Sequence, residues 1–153
     1  MDVFDKYLFD EITQDYAQED LSSEDYEEIY QRFLNLQHVP EVKPYLLAMK
    51  FLGYGIEADE ESVLNELEEC IKDNDIALLG LYYDCILFRK REDSEAAKRL
   101  SELIDKGYSD IYLKGNSYVS HSSHRKEYNK NFLLQVQRLV AVLEECYNKL
   151  LRG

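Results

Sequence analysis

Tryptophan is absent from this chain of 153 residues, which holds only six glycines, two prolines and three cysteines. So few Gly and Pro exclude a fold built on many tight turns and leave long stretches free to be helical. Cys70, Cys85 and Cys146 are odd in number, widely spaced and set among apolar residues. That excludes a disulfide framework, and with no Cys-x-x-Cys pair there is no usual zinc or redox spacing; the three read as small buried thiols in a reducing cytoplasm. Basic residues are also scarce, 18 against 31 acidic, for a net charge of −13. Phosphate backbones are bound mainly through Lys and Arg, so nucleic acid is not an expected partner. No apolar run approaches the roughly 18 residues of a membrane span, and Met1-Asp2-Val3-Phe4-Asp5 has no basic segment leading into an apolar one. A cytoplasmic protein is expected, and with 45% apolar residues it has the means for a real core.

What is present has helical period. Phe4, Leu8 and Ile12 form one stripe, with Val3 and Tyr7 beside it. Ser22 or Ser23 caps a second helix through Tyr26, Ile29, Tyr30, Phe33 and Leu34, which stops before Pro40. Pro44 opens a third, ending at Gly53, and Asp59 caps a fourth through Val63, Leu64, Leu67, Cys70 and Ile71. The apolar run Ile76 to Phe88 is too long for a strand and reads as a fifth. Asp93 or Ser94 caps a sixth, closed by Gly107, and a short helical piece is expected at Asp110 to Leu113. Residues 115 to 131 are polar and serine-rich and read as a long loop, followed by a last helix from about Asn131 to Leu151 that lies across those before it.

Shifting the chain on itself by 33 residues pairs Leu46 with Leu79, Met49 with Tyr82, Asp59 with Glu92, Val63 with Ala96, Leu67 with Leu100, Ile71 with Ile104 and Asn74 with Gly107. A two-helix unit repeated at this period is the mark of an α-solenoid, where each hairpin buries its apolar face only against a neighbour. The expectation is an all-α single domain over 1–153: antiparallel hairpins stacked as a short solenoid, with a long C-terminal capping helix. Residues 45 to 113 resemble the SEL-one-like repeats, relatives of the tetratricopeptide repeats, through Leu79-Gly80, Gly53-Tyr54-Gly55-Ile56 with Asp59, and Gly107. The resemblance implies a protein–protein interaction function and no cofactor.

Candidate chemistry is sparse. His121-Ser122-Ser123-His124 suggests two metal ligands, yet no third stands at a recognisable spacing and His38 is apart. Ser120, Ser122 and Ser123 beside those histidines lack an orienting carboxylate and an oxyanion hole. No metal site and no catalytic residue are assigned. A metal-dependent enzyme using residues 115 to 131 stands as a distant alternative.

Charge and tyrosine carry more. Residues 1 to 88 hold 22 acids and 5 bases, residues 89 to 153 hold 9 acids and 13 bases, and there are 13 tyrosines. An anionic face steers a basic partner, and rigid amphipathic tyrosines suit recognition surfaces. The expected partner is therefore a basic protein, bound through Glu19, Asp20, Glu24, Asp25, Tyr26, Glu27, Glu28, Tyr30, Tyr82 and Tyr83. A narrower version makes the chain an immunity or inhibitor protein against a basic toxin or nuclease. The opposite charge of the two halves also suggests self-association.

Overall fold

A computed structural model describes residues 1–90, 92–118 and 123–152, with the side chains of 123–135 excepted. The described residues are all-helical, with no strand. Seven α-helices occur among them: α1 Val3–Tyr16, α2 Ser23–Asn35, α3 Lys43–Leu52, α4 Glu60–Cys70, α5 Ile76–Arg89, α6 Ser94–Asp105 and α7 Ser123–Arg152. None of the described helices is long and apolar enough to cross a membrane. The chain divides into two compact units, Met1–Ser120 and His121–Gly153.

Local chemistry sets the boundaries. Asp2, Ser22, Asp59, Asp75 and Asp93 each accept a hydrogen bond from a first-turn backbone N–H, satisfying donors that a helix leaves orphaned. Pro40 opens a 3₁₀ turn over Pro40–Val42 and Pro44 lies in the first turn of α3, where its missing N–H costs nothing. Gly53 ends α3 in the left-handed region, and Asn74 and Gly107 take positive φ after α4 and α6, 52° and 115°. The expected helical piece at Asp110 to Leu113 is a turn, and a 3₁₀ segment follows at Lys114–Asn116.

In the first unit α1 packs on α2, α2 on α3, α3 on α4 and α5, α4 on α5, and α5 on α6. The core follows that order in three clusters. Ile12, Tyr16, Ile29, Phe33 and Tyr45 centre the first, Phe51, Val63, Leu67 and Leu81 the second, and Leu87, Ala96 and Leu100 the third. Tyr112, from the segment after α6, packs against all three. That segment, residues 108–118, is also tied by hydrogen bonds to α1, α2 and α5. Tyr16 donates its hydroxyl to the Tyr112 carbonyl, Lys114 donates to Tyr26, and Asp84 accepts from Tyr108, Ser117 and the Tyr118 N–H.

Three further expectations need correction. The loop expected over 115 to 131 is helical from Ser123 onward, because polarity alone does not end a helix and the chain from 116 to 152 contains neither Gly nor Pro. Cys70 and Cys85 are buried as expected, but Cys146 is exposed. On α1 only one side of the stripe is covered: Ile12 and Tyr16 are buried while Val3, Phe4 and Tyr7 face solvent.

Candidate functional site

The acidic segment between α1 and α2 is built around a helix start. Ser22 Oγ accepts from the Asp25 N–H at 3.1 Å, and Asp25 Oδ2 accepts from the Ser22 N–H at 2.9 Å, a reciprocal capping box. The backbone N–H of Ser22, then its hydroxyl, hold the Asp25 carboxyl below the usual carboxylate range. Its charge is fixed at the positive end of α2, where Glu24 shares the first turn, and Glu24, Glu27 and Glu28 are all exposed.

Beside this turn lies a hollow of about 450 Å³ lined by residues that include Leu21, Tyr26, Glu27, Tyr54, Ile56 and Glu57. Its far wall is the loop after α3, which approaches α2 closely only because Gly55 has no side chain. A Cβ there would overlap the Tyr26 carbonyl, and Gly55 also sits at φ 80°, where L side chains are strained. The approach stacks Tyr26 on Tyr54, with ring centroids 4.3 Å apart and planes 18° from parallel. Leu21 also lines a second hollow of about 260 Å³ with Asp15, Asp25, Glu28 and Arg32, the last bonded to Asp15 at 2.8 Å. Two adjoining depressions with acidic rims therefore flank the first turns of α2.

The tyrosine pair is already used from one side by a cation of the same chain. Lys114 Nζ donates to Tyr26 Oη at 2.9 Å and to the Gln18 carbonyl at 3.0 Å, and it stands 5.0 Å from the Tyr16 ring centroid. Asn116 Nδ2 donates to Tyr54 Oη at 3.0 Å. Burial lowers the Lys114 ammonium pKa, opposed by nearby Tyr54 and Glu19, and burial raises the Tyr26 phenol. Both hydroxyl oxygens accept from neighbours and Lys114 stands 4.9 Å from the Tyr26 ring centroid, while the 450 Å³ hollow presents Leu21, Ile56, the tyrosine pair and the carboxylates of Glu27 and Glu57. That suits a cationic side chain with an apolar stem, such as lysine or arginine.

The sequence-predicted residues divide between several places. Glu24, Asp25, Tyr26, Glu27 and Glu28 gather on the first two turns of α2, with Glu19 and Asp20 exposed just before it and Asp20 at φ 61°. Tyr30 is buried in the first core cluster, where burial and then Glu66 raise its phenol pKa. Tyr82 and Tyr83 lie on α5, half-buried against the second and third clusters and outside the lining of both hollows. Sequence reading missed Tyr54, Glu57 and Lys114 as parts of this place. A signal existed for the first, since Tyr54 sits between two glycines in a turn.

His121, Ser122 and Ser120 lie outside the described residues, as do the side chains of Ser123 and His124. His38 bonds to Asp5 at 3.0 Å. Among the described residues no group of three or more His, Cys, Asp or Glu is placed to hold a metal ion.

Comparison of the chain with protein-family models, curated proteins and solved structures found no match. The functional reading therefore rests on the geometry of this surface.

Proposed function

We propose that the chain is a non-enzymatic interaction module that holds a basic segment of another protein across the start of α2. The observation that carries this reading is the hollow between α2 and the Gly53–Gly55 turn, where a stacked tyrosine pair meets Glu27 and Glu57. The wider charge supports it: residues 2 to 28 carry 11 acids and a single lysine, a field that raises the encounter rate with a cation and weakens as salt rises. We read α1–α6 as helical hairpins in a short α-solenoid akin to the SEL-one-like repeats. The left-handed residues Asn74 and Gly107, 33 positions apart, and the N-caps Asp59 and Asp93, 34 apart, support a repeated helix–turn–helix unit. Two buried thiols, Cys70 and Cys85, are in keeping with a reducing cytoplasmic setting. A basic toxin or nuclease neutralised by this chain is the narrower form of the same proposal.

The test is capture of partners by the tagged full chain, identified by mass spectrometry, beside a variant with Glu24, Asp25, Glu27 and Glu28 all changed to Lys. A basic protein retained by the parent and lost by the variant is the expected outcome. Equal capture by both would remove the acidic surface from the account.

A further inference from the structure

The Lys114 side chain sits in a cage with the features of an ammonium site. Its Nζ stands 5.0 Å from the Tyr16 ring centroid and 4.9 Å from that of Tyr26, and it donates to Tyr26 Oη at 2.9 Å and to the Gln18 carbonyl at 3.0 Å. The rings are held by contacts other than Lys114. Tyr16 is buried in the first core cluster, edge-on to Phe33 and Tyr45 with its hydroxyl on the Tyr112 carbonyl, and Tyr26 stacks on Tyr54. The cage therefore keeps its shape when the ammonium leaves, and a site organised in advance loses little affinity to ordering.

The occupant is held less firmly than the walls. Lys114 is only half-buried, and its φ is 57°. Among the described residues Asp20 and Asn74 also take positive φ, but Asp and Asn tolerate that region and lysine is not of their kind. Gly115 follows directly and is exposed. A Cβ there would meet nothing within 4 Å and its φ is not positive, so neither packing nor a left-handed backbone calls for glycine. What glycine supplies is a pliable joint beside Lys114. The segment is anchored on both sides of that joint, by Tyr112 in the core and by Ser117 and the Tyr118 N–H on Asp84. Lys114 can swing out between two fixed points.

We infer that this cage is an exchangeable lysine site, closed in the free chain by Lys114 and taken by a lysine of the basic partner. The inference rests on the reading of the α2 surface given above and adds a built-in competitor to it. Tyr26 joins the two places, since it lines the 450 Å³ hollow and also forms one wall of the cage. A basic segment seated against Glu27 and Glu57 brings its next lysine to the ring that Lys114 covers. A tethered competitor weakens the apparent affinity in proportion to the fraction of time it keeps the site closed.

Hexalysine titrated into the full chain at low salt, followed by NMR of labelled lysine side chains, reads the exchange without relying on a variant. Ring currents of Tyr16 and Tyr26 should hold the Lys114 ε-methylene upfield in the free chain, and saturation should return it to the ordinary lysine position. K114A vacates the cage and should bind hexalysine about fivefold or more tighter than the parent. K72A removes the same charge from the exposed 3₁₀ turn after α4 and should change the affinity far less. Binding by K114A with none by the parent would also support the inference. Saturation of the parent with the Lys114 signal unmoved, or K114A binding no tighter than K72A, would overturn it, and the hollow would still stand if E27K/E57K abolishes binding. No binding by either the parent or K114A would overturn both the exchange and the function it rests on.

Discussion

At the scale of single residues, Asp84 stands out among the described residues as a buried carboxylate. It is fully buried on α5 and accepts from Ser117 Oγ at 2.6 Å, the Tyr118 N–H at 2.7 Å and Tyr108 Oη at 3.0 Å. Burial raises its pKa, opposed by those three donors. Replacing it with Ala removes the buried acceptor that these three donors share, and the expected loss is about 3 kcal/mol in urea unfolding. Asn keeps an acceptor and a similar shape, so D84N should cost far less. The pH dependence has a definite sign. A carboxyl whose folded pKa is raised binds its proton more tightly in the folded state, so its contribution to stability is present at low pH and is lost as pH rises from the ordinary carboxyl range through the raised value. The stability of the parent relative to D84N should therefore fall across that interval. A difference that stays level, or grows with pH, would show that the carboxylate is not paying this desolvation cost.

At the scale of elements, the segment 108–118 does what no single helix does, touching every core cluster of the first unit through Tyr112. Its entry depends on Gly80 of α5, where a Cβ would overlap the Tyr108 ring. G80A should therefore destabilise by about 2–3 kcal/mol despite the better helix propensity of alanine. In a Y108L background, where the ring is gone, most of that cost should vanish, and a double-mutant cycle by urea unfolding reads the difference. Equal costs in both backgrounds would contradict the contact. The six helices before this segment were legible in the sequence through apolar spacing and, for α5, the length of its apolar run; Ser22, Pro44, Gly53, Asp59, Asp93 and Gly107 mark ends of the others by local chemistry alone. The route of 108–118 was not legible, since it depends on contacts between residues as distant as Tyr16 and Tyr112. The α7 start was misread because His, Ser, Arg and Lys in succession resemble a loop in composition without containing anything that stops a helix.

At the scale of the whole molecule, the charge is divided along the chain, and its densest acidic part coincides with the two hollows on α2. The sequence led to Glu24, Asp25, Glu27 and Glu28 because a run of carboxylates is visible without a fold. It did not lead to Glu57 and Tyr54, which reach the same hollow only through the seating of Gly55 on the α2 backbone. It also set Tyr30, Tyr82 and Tyr83 beside them, although packing turns these three toward the core. The central claim is that this hollow takes a cationic side chain. The most direct measurement is a titration of the full chain with a lysine-rich peptide at low salt, followed by NMR of the backbone amides and tyrosine rings. The account predicts saturable shifts concentrated at Tyr26, Glu27, Tyr54 and Glu57, abolished in E27K/E57K and weakened by added salt. Shifts that are absent, or that spread evenly over the acidic helices and persist in E27K/E57K, would contradict it.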